Sequence, residues 1–171
     1  MRVAITKKNS RNQLACVRAD GTSVVADLGP NLPYHDLAHL VVEQRLGLTE
    51  GFFGHIARGF TPAQLSDKDI IKRLGKEPYR AEILARALGS LQTGACAPEQ
   101  FEALVNTELA LLNLTEMRIP PELRDEISVE YRDLLRAYSE LRTGQTLELR
   151  FEEHAPGVTH LNKSQERSHG R

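Results

Sequence analysis

The sequence of 171 residues has little of several residue types that mark particular protein classes. It contains no tryptophan, and aromatic residues make up only 5% of it, so aliphatic side chains must fill its interior. Its two cysteines, Cys16 and Cys96, lie far apart and form no C-x-x-C pair. This excludes a zinc finger built on cysteine, and it indicates reduced thiols inside the fold of an intracellular protein.

An excess of charge and a long apolar run are also lacking. Lys and Arg number 22 and Asp and Glu 23, so the basic surplus typical of nucleic-acid binding is missing. No run approaches the ~20 apolar residues that a membrane-spanning helix needs. The first ten residues, MRVAITKKNS, are too polar for a secretory signal. We therefore expect a cytoplasmic protein that binds neither nucleic acid nor membranes.

The first 28 residues have the pattern of a small antiparallel sheet. Three β-prone runs, RVAIT, QLACVRA and TSVVADL, occupy residues 2–6, 13–19 and 22–28. The pair Asp20-Gly21 separates the last two runs and is a strong hairpin signal. Near the other end, QTLELRFEE at 145–153 again alternates apolar and charged residues. Because a single strand is not stable alone, we predict that it joins the N-terminal sheet.

The region between these strands has the apolar spacing of helices. Repeats of three and four predict helices, some of them short, at residues 33–46, 50–60, 63–74, 78–92, 98–114 and 121–142. The order of elements predicts one α+β domain over residues 1–153, with a small antiparallel sheet packed on four or five helices. The last segment, 154–171, has almost no apolar content and is expected to be a disordered tail.

The stretch PYHDLAHLVVEQRLG at 33–47 carries the main functional signal. On a helical wheel its polar residues His35, Asp36, His39 and Glu43 share one arc of about 100°, and apolar residues fill most of the rest. A helix that is apolar over most of its circumference is a buried helix. Each residue of the arc can bind a metal or move a proton, whereas a merely solvated face would more often carry Lys, Gln or Arg.

Two histidines at positions i and i+4 point the same way and can hold one metal ion. In the H-E-x-x-H motif of zinc hydrolases, the acid after the first histidine polarises the water on the metal. Here the string is HDLAH, so His35 and His39 are the candidate ligands and Asp36 is the candidate general base. Aspartate is one methylene shorter than glutamate, which weakens the case for hydrolysis more than the case for metal binding.

A third metal ligand is not obvious from the sequence. Eight residues of helix rise ~12 Å, whereas ligand atoms on one tetrahedral zinc lie ~3.3 Å apart. Glu43 is therefore better placed to orient His39 than to join it on the metal. His55, on the next short helix, is the best remaining candidate ligand, and Glu108 and Glu116 are weaker ones.

The string PYHDLAHLVVE at 33–43, followed by Gly51-Phe52, resembles a group of small bacterial proteins of unknown function. In that group a β-rich N-terminus precedes a P-x-H-D-L-x-H-x-x-V-E helix and a Gly-Phe turn. The likeness covers residues 1–60. It implies the same order of elements and no particular activity. The likeness to the zincin metallohydrolases rests on two histidines and an altered acid.

These signals favour a metal-binding protein with hydrolytic potential, which holds zinc or another divalent transition metal. The alternative is a non-catalytic protein in which the two histidines are hydrogen-bonded at a helix N-terminus and Asp36 favours the helix dipole. The amphipathic segment 121–142 would then serve self-association or a partner. Metal-dependent phosphohydrolases of the HD type need a histidine upstream of the motif, and His35 is the first one here. The sequence leaves open whether the chain is an enzyme.

Overall fold

The structure, a computed structural model, describes residues 1–29 and 32–152. Four strands form one antiparallel sheet in the order β3-β2-β1-β4; their bounds are β1 Arg2–Thr6, β2 Asn12–Val17, β3 Ser23–Leu28 and β4 Thr146–Arg150. The α+β fold is confirmed, and the C-terminal strand joins the N-terminal sheet as predicted, where it pairs with β1. The predicted tail, 154–171, lies outside the described residues.

One face of the sheet is buried. Val3 and Ile5 of β1 and Leu14 and Cys16 of β2 alternate with more exposed neighbours, and all four belong to the hydrophobic core. Burial raises the pKa of Cys16 to about 12, so this thiol is inert. Just after β4, the fully buried ring of Phe151 joins the same core. The alternation of buried and exposed residues therefore fixes which face the helices cover.

Helices occupy the chain between β3 and β4. They are α1 Leu32–Leu46, α2 Phe52–Ala57, α3 Lys68–Ile71, α4 Glu77–Gln92, α5 Phe101–Leu111 and α6 Pro121–Glu140, with short 3₁₀ turns at Gln64–Ser66 and Pro98–Gln100. Gly47, at φ +65°, ends α1 in the left-handed conformation that glycine adopts without strain. Within the described residues no helix is long and apolar enough to cross a membrane.

Two predicted helices differ most from the structure. The segment 63–74 forms only a 3₁₀ turn and the four-residue α3, and the segment 98–114 forms a shorter α-helix than predicted. The second segment begins as a 3₁₀ turn, and α5 ends at Leu111. Asn113 takes φ +53°, and the Leu114 N–H donates to the Leu109 carbonyl at 2.9 Å, which is the hydrogen bond of a Schellman ending. Leu112, which the spacing places on the buried face, is therefore 48% exposed.

Helix α1 is the central helix of the fold. It packs on α4 and α6, and the part from Asp36 to Glu43 is buried without interruption. The apolar stripe of α6, which includes Ile127, Tyr131 and Tyr138, is buried in the core of its own chain. The Tyr131 hydroxyl donates to the Tyr34 carbonyl of α1 at 3.1 Å. The wheel of α1 therefore correctly predicts a buried helix. Asp36, His39 and Glu43 of its polar arc are buried, and His35 is half-buried.

Candidate metal centre

Three side chains meet at one point between α1 and α4. The Nε2 atoms of His35 and His39 lie 3.2 Å apart, and each lies 3.1 Å from Oε2 of Glu82. We call these three residues the triad. Each offers one metal-ligand atom, and the triad could hold a metal ion. Its two histidines come from successive turns of α1, because residues four apart lie on the same side of a helix.

The protonation of His39 is fixed on one side of its ring. Nδ1 lies 3.0 Å from Oε1 of Glu43, and a carboxylate can only accept, so Nδ1 carries the proton. In the neutral ring, Nε2 then presents a lone pair to the carboxylate of Glu82 and to His35. Oε2 of Glu82 and an unprotonated Nε2 atom repel one another at these distances. A proton on one of the ring nitrogens, or a metal ion among the three atoms, removes this repulsion.

Glu43 connects α1 to α2. Its carboxylate accepts hydrogen bonds from the backbone N–H groups of Phe52, Phe53 and Gly54 at 2.7, 2.9 and 3.2 Å, in addition to the one from His39. These N–H groups form the free N-terminus of α2, where a negative charge is favourable. Glu43 is 1% exposed, so four hydrogen bonds compensate for the burial of its charge. Its role as support for a metal ligand stays a prediction.

The glycines around α2 make room for this contact. A Cβ atom on Gly51 would lie 2.3 Å from Cδ of Glu43. A Cβ atom on Gly54 would lie 2.0 Å from the Thr49 carbonyl oxygen. The sequence GFFG therefore lets the backbone approach the carboxylate and the preceding turn closely.

The other oxygen of Glu82 also has a charged neighbour. Arg86 Nε lies 3.5 Å from Oε1 of Glu82, and Arg86 pairs in addition with Glu108 of α5. Glu82 therefore turns Oε2 toward the two histidines and Oε1 toward a guanidinium group. Glu108, a weaker candidate ligand, is engaged away from the triad.

The pKa values reflect this concentration of charge. Burial is the largest single influence on His39 and lowers its pKa, but the hydrogen bonds to Glu43 and Glu82 together outweigh it and raise the pKa to about 9. The hydrogen bonds from His35 and His39 hold the pKa of Glu82 well below its usual range. In the metal-free protein, a proton on His39 therefore supplies the cation that the triad needs near neutral pH.

Asp36 is buried on the same arc of α1. It is 5% exposed, and its Oδ2 has no hydrogen-bond partner within the described part of the chain. Burial raises the pKa of its carboxyl to about 6, although the nearby histidines of the triad oppose this rise. An unpartnered buried carboxyl oxygen is uncommon in a folded protein and marks Asp36 as a candidate functional group.

His55 is buried on α2 but does not belong to the triad. It is 5% exposed, and neither ring nitrogen has a hydrogen-bond partner among the described residues. Its ring packs edge-on against Phe60, with centroids 5.2 Å apart. Burial, followed by the charge of Arg58, lowers its pKa, so His55 is neutral at pH 7. In the structure Glu82, and not His55, is the third residue grouped with His35 and His39, and the role of His55 as a metal ligand stays a prediction.

A cavity of about 800 Å³ opens beside the triad. All three triad residues line it, together with Asp36 and His55. Most of the remaining wall is apolar and comes from β3, α2, the segment 61–71 and the start of α4. We call this space the triad cavity. A metal ion on the triad would therefore face a space large enough for a small substrate.

Comparison with known proteins adds no relative. No protein family model, no curated protein and no solved structure matches this chain. The site must therefore be interpreted from its own geometry.

Proposed function

We propose that the chain is a metal-binding protein with hydrolytic potential, and that the triad holds one divalent transition metal ion of the zinc class. The observation that supports it best is the near-equilateral triangle of ligand atoms, with sides of 3.1 to 3.2 Å. Separations of this size suit His35, His39 and Glu82 as ligands of one tetrahedral zinc ion, whose ligand atoms lie ~3.3 Å apart. Three protein ligands leave a further coordination position for water or substrate.

The donor set supports this assignment. Two imidazoles and one carboxylate are the ligands of zinc in several hydrolases, and they also suit ferrous iron in sites with open positions. The hydrogen bond from His39 Nδ1 to Glu43 is the outer contact that metal-binding histidines usually make, and it turns Nε2 toward the metal position.

For hydrolysis, we assign the base to Asp36. Metal binding would lower the pKa of a bound water, and a nearby carboxylate would accept its proton. Asp36 lies on the wall of the triad cavity, directly after His35 and three residues before His39 in sequence, and one of its oxygens has no partner among the described residues. Its short side chain limits its reach, so variants at Asp36 should affect turnover while the metal stays bound.

The experiment is a metal count on tag-free protein purified without chelator, by elemental mass spectrometry. We expect close to one equivalent of zinc, iron or manganese in the wild-type protein. His35→Ala, His39→Ala and Glu82→Gln should each lose most of it. Two matched controls should keep it: Glu77→Gln, a carboxylate on the same helix as Glu82, and His55→Gln.

The pattern across these variants decides the assignment. Loss of the metal in His55→Gln and its retention in Glu82→Gln would show that the triad is not the ligand set. A folded, metal-free wild-type protein that takes up no zinc, iron or manganese when these are added would overturn the proposal. The histidine pair would then be a structural feature of a buried helix.

A further inference from the structure

The wall of the triad cavity includes five consecutive residues of β3, from Val24 to Leu28. Successive side chains of a strand point to opposite faces, so one face can supply only every second residue to a cavity. Five residues in a row indicate that the edge of the strand lines the cavity. Among the described strands β3 is an edge strand, because it pairs only with β2.

The outward backbone groups on this edge have no partner in the part of the chain that the structure describes. The Arg18 N–H donates to the Thr22 carbonyl at 2.8 Å, and this contact sets the phase of the ladder between β2 and β3. Because bonded pairs alternate, Val24 and Ala26 bond to β2, while the N–H and C=O groups of Val25 and Asp27 point away from it. Within the described residues no hydrogen bond reaches these outward groups from another element.

We infer that the triad cavity binds an extended peptide, which adds to the free edge of β3 as a further strand; this rests on the proposed function, since it names the substrate class of that site. An exposed edge offers alternating donors and acceptors that an extended backbone satisfies, and this is a general mode of peptide recognition. The five lining residues span ~13 Å, enough for a partner of about five residues. A peptide seated there would pass the metal position.

The cavity wall also selects side chains. Phe52 and Leu65 supply apolar surface, and Asp27, Asp36 and Glu82 supply acidic groups. Among the described residues, no lysine or arginine lines the cavity. The charge of Glu82 is offset by the proton or metal ion at the triad, so Asp27 and Asp36 are the groups that make the wall negative. Charge complementarity therefore favours a peptide with apolar residues on one face and neutral or basic residues on the other, over an acidic one.

The test measures peptide binding to the full-length, chelator-treated protein, so that it does not depend on the metal. The probe is a capped hexapeptide of alternating valine and lysine, followed by fluorescence anisotropy. One control peptide carries N-methyl groups on all backbone amides, and another has glutamate in place of lysine. The variant Val25→Pro removes one outward N–H, and its control Val25→Thr keeps that N–H.

We expect the lysine peptide to bind, and both control peptides to bind much more weakly. Val25→Pro should weaken binding about fivefold, since one net hydrogen bond is worth ~1 kcal/mol, and Val25→Thr should have little effect. Amide NMR signals of Val25 and Asp27 should shift when the peptide binds to the wild-type protein. If the spectrum of Val25→Pro otherwise keeps the wild-type signals, that variant is folded.

Other outcomes overturn the inference. Equal binding of the N-methylated peptide would show that side chains alone are recognised. A wild-type protein that dimerises without peptide and is made monomeric by Val25→Pro would show that a second copy covers the edge. Metal binding at the triad with no peptide binding would contradict the substrate class and leave the metal site standing. Peptide binding to a chain that takes up no metal would overturn the proposed function instead.

Discussion

The two sides of the His39 ring differ in how completely the protein surrounds them. On the Nδ1 side, Glu43 is 1% exposed and its carboxylate accepts four hydrogen bonds. On the Nε2 side, the side chain of Glu82 is 44% exposed and lines the triad cavity. The first carboxylate is enclosed by backbone amides, and the second lies where a ligand can reach it. One histidine can therefore use one carboxylate contact, to Glu43, to stabilise the fold and the other, to Glu82, to bind a ligand.

The largest expected effect tests the enclosed side. Glu43→Gln should lower the free energy of unfolding of the metal-free protein by about 3 kcal/mol, because an amide cannot accept from all three α2 N–H groups and from His39 at once. Glu82→Gln should cost under about 1 kcal/mol, because its side chain is partly exposed. Urea denaturation measures both. If both variants lose the same free energy of unfolding, Glu43 and Glu82 do not differ in their contribution to stability.

The next effect tests the open side. Zinc at one hundred times its dissociation constant should raise the free energy of unfolding of the wild-type protein by about 2.7 kcal/mol, because the ion binds only the folded state. Glu82→Gln should show almost none of this gain, and excess chelator should reverse it in the wild type. Thermal melts with and without zinc measure the effect. An unchanged gain in Glu82→Gln would place the metal elsewhere.

The close approach of α2 to Glu43 gives a third test. Gly51→Ala should cost about 2 kcal/mol, since its Cβ would overlap the buried carboxylate and force a shift of α2. Gly89→Ala is the control, because nothing lies within 4 Å of its Cβ position and it is within α4, where alanine is preferred. The control should gain up to about 1 kcal/mol. If Gly51→Ala leaves the free energy of unfolding unchanged, α2 and the Glu43 carboxylate can move apart at little cost.

The smallest effect concerns pH. Zinc must displace the proton of His39, whose pKa is raised to about 9. Below that pH the apparent zinc affinity should fall by up to about tenfold, or 1.4 kcal/mol, for each unit of pH. Calorimetry at pH 7 and pH 8 measures this, and the heat should vary with the buffer because a proton is released. An affinity that is the same at both values would contradict the raised pKa.

The raised pKa of His39 has the opposite consequence for the metal-free protein. Zinc affinity should rise with pH, whereas the free energy of unfolding of the metal-free protein should fall. The pKa of His39 is raised from 6.5 on folding, so its contribution is fully present below about pH 6.5 and is lost as the pH rises through about 9. Metal-free protein should therefore lose stability between pH 7 and pH 9.5. Protein saturated with zinc should not show this loss, because its His39 is already deprotonated.

The sequence predicts the fold and half of the site for a physical reason. Strand and helix periods are local, so the hairpin at Asp20-Gly21 and the buried face of α1 can be derived from short windows. The i, i+4 spacing also places His35 and His39 together, because both lie on one helix. Local rules therefore suffice wherever the partners belong to one element.

Glu82 could not be found in the same way. It lies on a different helix from the histidines, and the packing of α1 on α4 brings it to them. Its neighbours Ala81 and Ile83 are buried core residues, so its own window describes an ordinary amphipathic helix. The sequence offers His55 as a ligand because it is close along the chain, and closeness along the chain does not decide distance in space. A carboxylate beside the buried face of a long helix is the one weak signal available.

The pairing of β4 with β1 has a consequence for how the protein is made. All three residues of the triad are translated by residue 82, whereas the strand that completes the sheet is added at 146–150. The ring of Phe151 then packs on Phe53, with centroids 5.8 Å apart, and the Phe53 amide holds Glu43 behind His39. A nascent chain thus carries the ligands before their support is finished, and contacts so distant in sequence form slowly. We therefore expect the support of the site to be completed only after β4 and Phe151 have left the ribosome.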